Sequence, residues 1–249
     1  MRRRDFLHLP AIAVMLTAPD ACAAPKDLPG DHSRAVAAAQ RVLPKLRAEM
    51  AKHDLAPGLP VLLRFFKEES EMEMWVQPAG AAEWKLFRSW KIARWSGKLG
   101  PKAVAGDCQT PEGFYHTDLA SLNPRSNYHL AFNINYPNAR DKSLGHTGSL
   151  IMVHGSNVSV GCFAMTNPAI EEIYTLVVMS LGAGQERVPI HCFPFRMTPK
   201  RMAKAARNDD QAAHLAFWRE LEPAYNLFGQ THRLPDITAA GGKYVITAR

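Results

Sequence analysis

The feature that most constrains this chain is a short apolar run, Ser149-Leu150-Ile151-Met152-Val153, closed off by Gly148 before it and by Gly155 just beyond His154. A run this short, partly β-branched and bounded by glycine, predicts a buried strand, because a helix would space its apolar residues at three- and four-residue steps over a longer span. The strand delivers His154 to the segment Gly155-Ser156-Asn157-Val158-Ser159-Val160-Gly161-Cys162. A thiol becomes a useful nucleophile when a base or a positive neighbour raises its thiolate fraction, and an imidazole in the same loop is a common partner. Gly161 has no side chain, so a substrate carbonyl can approach the backbone there, and main-chain N–H groups can face an oxygen that turns negative during acyl transfer. Beside this stands a plainer reading, in which Cys162 is a small buried hydrophobe and His154 a hydrogen-bonded structural residue.

The residues between the two favour chemistry. His154-Gly155 followed by Ser159-x-Gly161-Cys162 resembles the active-site signature of the L,D-transpeptidase catalytic domain, also called the YkuD domain. The short spacing and the following Phe163-Ala164-Met165-Thr166 are similar to its YafK-like branch. So are Gly100-Pro101-Lys102, Gly106-Asp107, the block from Gln109 to Tyr115, Tyr136-Pro137-Asn138 and the block from Phe193 to Met197. The resemblance spans residues 33 to 248. It implies a secreted cysteine enzyme acting on peptidoglycan stem peptides, with Cys162 as acyl-accepting nucleophile and His154 as general base. Gly161, Ser159 and Gly155 would belong to the loop that shapes the oxyanion site, and Glu112 and Tyr115 would lie beside the cleft. The wider family has histidine where Val160 stands and arginine soon after the cysteine, and this chain departs from it at both places.

The first 24 residues read as an export signal: Arg2-Arg3-Arg4, an apolar stretch from Phe6 to Ala18, then Ala21-Cys22-Ala23 as a small-residue cleavage site. The stretch is too short to span a membrane, so membrane contact is expected only during export. Arg3-Arg4-Asp5-Phe6-Leu7 resembles a twin-arginine signal, and the general secretory route is the alternative. Cys22 lacks the apolar residue three positions upstream that a lipid-anchor site carries, so it is read as discarded with the signal. Cys108, Cys162 and Cys192 remain, an odd number in an oxidising compartment, which leaves one thiol free for chemistry. Cys108 and Cys192 are a candidate disulfide, which spacing alone leaves open. Losing residues 1–23 removes three arginines and two aspartates and takes the net charge from +7 to +6. A basic exported protein suits an anionic envelope without thereby specifying a bond to cleave.

Apolar residues between Asp31 and His53 recur at helical steps, with Pro44 predicting a kink or two shorter helices. Residues 60–66, 71–77 and 84–93 read as consecutive strands, with Trp84, Leu86, Trp90 and Ile92 on one side of the third. Six basic residues and no acidic one lie between Lys85 and Gly106, with Trp90 and Trp95 among them and Trp84 just before. That mixture imitates a nucleic-acid platform, but an exported protein meets little nucleic acid, so the tryptophans are assigned to the core and no nucleic-acid partner is expected. Lys102 is a candidate for holding an acidic ligand.

Thr110-Pro111-Glu112-Gly113 fits a turn leading into the strand Phe114–Thr117. Another strand is expected from Tyr128 to Tyr136, a helix over Pro168–Leu181 capped by Asn167, a strand over Val188–Phe193, and two helices between Lys200 and Phe228. The close ligand pairing of structural zinc modules is missing, so neither a metal nor a cofactor is expected.

The chain is therefore read as a β-rich α+β protein of the L,D-transpeptidase type with helices at both ends. The signal occupies residues 1–24, an N-terminal helical segment 25–58, the catalytic domain 59–197 and a C-terminal helical extension 198–249. No carboxylate neighbours His154, so a backbone carbonyl of the 155–159 loop is expected to orient it. Transfer to an amine makes a transpeptidase; transfer to water makes a peptidase or amidase that undoes cross-links or releases an envelope protein attached to peptidoglycan. A non-catalytic envelope-binding module that kept the fold is the rival from another class.

Overall fold

The computed structural model describes residues 32–248, so the expected export signal lies outside the described residues. The first helix, α1 (Ser33–Ala51), buries Ala38, Leu43, Leu46 and Met50 against α3 (Asn167–Gly182). The helix runs unbroken through Pro44, so of the two expected outcomes the division into two shorter helices does not occur. The proline lies on the exposed side, and the carbonyl of Gln40 that loses its donor belongs to an exposed residue with access to water.

The main sheet has the order β3-β2-β1-β9-β4, with β1 (Val61–Phe66), β2 (Glu71–Val76), β3 (Lys85–Lys91), β4 (Gly113–Thr117) and β9 (Val188–Phe193). β1 runs parallel to β9 and antiparallel to β2, and every one of its residues is buried, as a strand covered on both faces must be. The strand Val188–Phe193 forms as predicted. In β3 the expected alternation fails: Leu86 is 44% exposed while Phe87 and Trp90 are buried. A register shift between Met74 and Trp75 of β2 breaks the two-residue period on its partner.

A second sheet, β5 (Leu122–Asn123), β6 (Ala131–Asn133), β7 (Met152–His154) and β8 (Phe163–Ala164), packs near the first. Phe65 of β1 and Phe163 of β8 meet at 4.4 Å between ring centroids in the main core. The strand expected from Tyr128 to Tyr136 shrinks to three residues, because His129 and Asn135 on either side have positive φ (73° and 58°) that extended pairing cannot use. A capping box of Asn138 and Asp141 starts the short α2 (Ala139–Ser143).

Beyond the sheets come α4 (Pro199–Ala205), α5 (Asp209–Ala212) and α6 (Leu215–Thr231), then a hairpin of β10 (Asp236–Ala240) and β11 (Lys243–Thr247). α6 seats Trp218, Leu221 and Ala224 in a second core with Phe66, Phe193 and Phe195. The C-terminal extension thus carries a hairpin as well as helices. Among the described residues no helix is long and apolar enough to cross a membrane.

Candidate active site

β7 and β8 are adjacent parallel strands in the register Val153↔Phe163 and His154↔Ala164. Side chains alternate along a strand, and Val153 and Phe163, both at 0% exposure, point into the core. Met152, His154, Cys162 and Ala164 therefore share the opposite side. The Met152 N–H donates to Cys162 Sγ at 3.3 Å, which holds the thiol beside β7, two residues along from His154. The strand carrying the imidazole is shorter than the apolar run suggests: Leu150 is exposed, with φ 57°, and its carbonyl faces Sγ at 3.8 Å.

His154 Nδ1 lies 2.6 Å from the carbonyl oxygen of Gly155. A carbonyl only accepts, so Nδ1 carries the proton and the lone pair of the neutral ring is on Nε2. This is the backbone orienter expected of the 155–159 loop. The ring of Tyr128 lies over the imidazole at 4.8 Å between centroids, tilted by 33°. Burial lowers the pKa of His154 below its ordinary value, against the Gly155 bond that raises it. Burial raises the Cys162 thiol, against the Met152 N–H that lowers it. Both shifts disfavour charge, so the pair rests as a neutral thiol and a neutral imidazole.

Gly155 is where the chain tolerates no side chain: a Cβ would stand 2.6 Å from Asn167 Oδ1 and 2.8 Å from the Tyr128 carbonyl. Asn167 does not cap α3 as expected; its side chain accepts the N–H of Ser156 at 2.8 Å, and Thr166 takes the cap position. Ser156 and Thr166 have φ near 65°. Non-glycine residues in this region cost free energy and gather where function over-determines the backbone.

The nucleophile loop is braced by hydrogen bonds, and one of their partners, Ser96, was not singled out from the sequence. Ser159 Oγ donates to the Cys162 carbonyl at 2.6 Å, and Thr110 Oγ1 donates to the same oxygen at 3.3 Å. Gly161, at φ 103°, donates its N–H to Ser96 Oγ at 2.6 Å, and Ser96 Oγ donates on to the Cys108 carbonyl at 2.7 Å. The Gly161 amide is thus occupied by Ser96, and Gly161 and Ser159 both take part in hydrogen bonds that hold the shape of the loop. The Ser96-Gly97 pair after Trp95 was the available turn signal for this brace.

The three expected cleft residues are placed differently. Lys102 is 5% exposed, with Nζ 2.5 Å from Asp107 Oδ1 and 2.9 Å from the Val104 carbonyl, so its charge is spent inside the protein. Burial alone would raise the Asp107 carboxyl, but hydrogen bonds from Lys102 and from three backbone N–H groups bring it to about 2. Glu112 is 1% exposed and accepts from Lys67 Nζ at 2.9 Å, the Gly100 N–H at 2.7 Å and Trp218 Nε1 at 2.7 Å. Tyr115 is buried, its hydroxyl 3.0 Å from the Glu112 carbonyl and 3.1 Å from Asp141 Oδ2. These residues hold the 98–112 segment in place rather than line a cleft. Cys108 and Cys192 are both free thiols, one exposed on the 106–108 turn and the other buried in β9, so the candidate disulfide does not form.

A groove of about 370 Å³ against β4 and β10, lined by His116, Arg187, His191 and Tyr244, includes neither Cys162 nor His154. The thiol is half-buried, with the Leu150 carbonyl facing Sγ and the Tyr128 ring over His154, and Leu150, Val158, Val160 and Tyr128 of the flanking segments are 70%, 47%, 75% and 48% exposed.

Comparison with known proteins places this geometry in a family. The L,D-transpeptidase catalytic domain, YkuD, matches residues 75–190, which include the strand, the loop and the cysteine. The protein named "Putative L,D-transpeptidase YafK" of Escherichia coli K12 is 40% identical over 190 residues, covering 76% of this chain and 75% of the relative. The same values hold for its counterpart in Escherichia coli O157:H7. Among solved structures, the helical cell shape determining protein Pgp2 of Campylobacter jejuni is 22% identical with a TM-score of 0.42, over 61% of this chain and 54% of that one. Bd1075 of Bdellovibrio bacteriovorus is 18% identical with a TM-score of 0.38, over 73% and 78%. On its likeness to YafK and the match over the segment that carries the thiol and the imidazole, this chain belongs to the YkuD family of L,D-transpeptidase catalytic domains, whose members' function relates to peptidoglycan.

Proposed function

We propose that the chain is an exported cysteine acyltransferase acting on peptidoglycan stem peptides, an L,D-transpeptidase working from Cys162 with His154 as its base. The observation that carries this reading is the pairing of β7 with β8, which sets a half-buried thiol and a carbonyl-oriented imidazole on one side of neighbouring strands. Cys162 Sγ attacks the carbonyl carbon of a stem-peptide bond while its proton passes to His154 Nε2. The tetrahedral species collapses, the C–N bond breaks, and His154 returns the proton to the departing amine, leaving a thioester on Cys162. An acceptor amine then gives its proton to His154 and forms a new C–N bond, the C–S bond breaks, and His154 passes that proton to the leaving sulfur, restoring the thiol and the neutral base. The resting pair being neutral, His154 works as a general base during attack and not as the partner of a standing thiolate.

Water in place of the amine gives a hydrolase that trims stem peptides or releases a peptidoglycan-attached envelope protein. The thiol and base serve both outcomes, so this stays the second reading, with the envelope-binding module third. We further propose the division made from sequence: signal to residue 24, helical segment to 58, catalytic unit 59–197, extension from 198. Incubating the protein with purified muropeptides, with and without an amine acceptor, and weighing the products tests the reading. Products heavier by the acceptor support transpeptidation, and only shortened products support hydrolysis. Full complementation of a deletion by Cys162→Ala would favour the binding module.

A further inference from the structure

The wider family's arginine after the cysteine is missing here, and Lys102 is tied to Asp107, yet the active side of the sheet does carry a cation. Ala164 donates its N–H to the Arg94 carbonyl at 2.9 Å, and the N–H groups of Ala93 and Arg94 both donate to the Ala164 carbonyl, at 2.8 and 3.2 Å. Two donors from successive residues on one acceptor make a β-bulge, a device that re-aims a side chain beside a functional site. Residues paired across such a bridge share a side of the sheet, so His154, Ala164 and Arg94 form one row over three neighbouring segments. Cys162 precedes Ala164 by two residues on the same segment, so it lies on the same side, one step along from that row and diagonal to His154 and Arg94. Ile92, at 1% exposure, and Trp95, packed against the main core, take the opposite side.

Arg94 is exposed, and among the described residues no ion pair or side-chain hydrogen bond holds its guanidinium. Of its basic neighbours, Arg88 pairs with Glu172 and Lys102 with Asp107, while Lys98 meets Asp210 only at the exposed surface and Lys91 stands on β3 opposite Glu71 of β2. The rim on the loop side, Leu150, Val158 and Val160, is apolar and offers a substrate no charge.

Resting on the acyl-transfer reading, we propose that Arg94 binds a carboxylate of the donor stem peptide and so fixes the register in which the scissile carbonyl meets Cys162. A guanidinium presents paired donors matched to the two oxygens of a carboxylate, and this one projects from a backbone position locked to β8 by three hydrogen bonds.

The test compares wild type, Arg94→Ala and Arg94→Lys on a synthetic stem tetrapeptide and on versions with each carboxylate amidated in turn. For the unmodified peptide the alanine variant should show KM raised about tenfold or more, the loss expected of one charge-assisted contact, with kcat within about twofold and partial recovery in the lysine variant. One amidated peptide should be handled equally by wild type and Arg94→Ala. Equal losses on every peptide, or no loss on any, would overturn the proposal. Should wild type turn over none of them, the enzymatic reading fails by itself, and calorimetric binding to Cys162→Ala protein decides the anchor separately. There a roughly tenfold preference for the free over one amidated peptide, abolished by adding Arg94→Ala, supports it, and equal binding overturns it.

Discussion

At the scale of single residues, the site depends on two groups whose burial works against charge. The pKa of His154 lies below its ordinary value, so at neutral pH the ring is unprotonated and Nε2 can accept a proton. Lowering the pH loads that nitrogen and removes the base. The acid limb of a kcat/KM profile is therefore expected below the ordinary histidine value of about 6.5, and a limb above it would mean that a carboxylate or a standing ion pair governs the base. Arg94 enlarges this site with a cation that local spacing does not reveal, since its place beside Ala164 comes from a bridge spanning seventy positions of chain. His154 and Cys162 were legible because their partners are local, the Gly155 carbonyl and the Met152 amide. Glu112 was not, because Lys67 and Trp218, the side chains that bury it, stand 45 and 106 positions away.

Among the elements, the turn after β1 and the 98–112 segment are one unit. Lys67, at 0% exposure, donates from Nζ to the Lys98, Gly100 and Thr110 carbonyls and to Glu112. Removing one member of a buried, hydrogen-bonded ion pair leaves the other charge uncompensated, so Lys67→Ala should cost about 3–5 kcal/mol in urea denaturation. A loss below about 1 kcal/mol would show that water or a side-chain shift rescues Glu112. Since Thr110 and Ser96 brace the nucleophile loop, the variant should also slow acyl transfer. Elements read from period and composition formed where both faces of a strand are buried, as in β1 and β9, and where a helix has one apolar stripe, as in α1. They failed where a bulge or a positive φ interrupts the period, as in β3 and at His129 and Asn135. The C-terminal hairpin carried its own signal, Gly241-Gly242 between two β-rich stretches, and both glycines have the positive φ that a tight two-residue connection demands. It was overshadowed by the helical period before it.

For the whole molecule, β7 and β8 must stay paired for the thiol and imidazole to share a face, and Phe163 ties β8 to the main sheet. It is fully buried one residue after Cys162 and packs on Phe65 of the main sheet. Phe163→Ala should cost about 3–5 kcal/mol and lower the melting temperature, since a cavity there cannot collapse without moving β8. An unchanged melting temperature would mean that the second sheet is held independently of the first. The account as a whole predicts a covalent intermediate on one sulfur. The most direct measurement is mass spectrometry of the protein quenched in acid during turnover of a stem tetrapeptide. The account predicts a mass increase equal to the donor minus its departing amine, located on the peptide containing Cys162 and absent from Cys162→Ala. Turnover that persists in Cys162→Ala, or an adduct on Cys108 or Cys192 in its place, would contradict it.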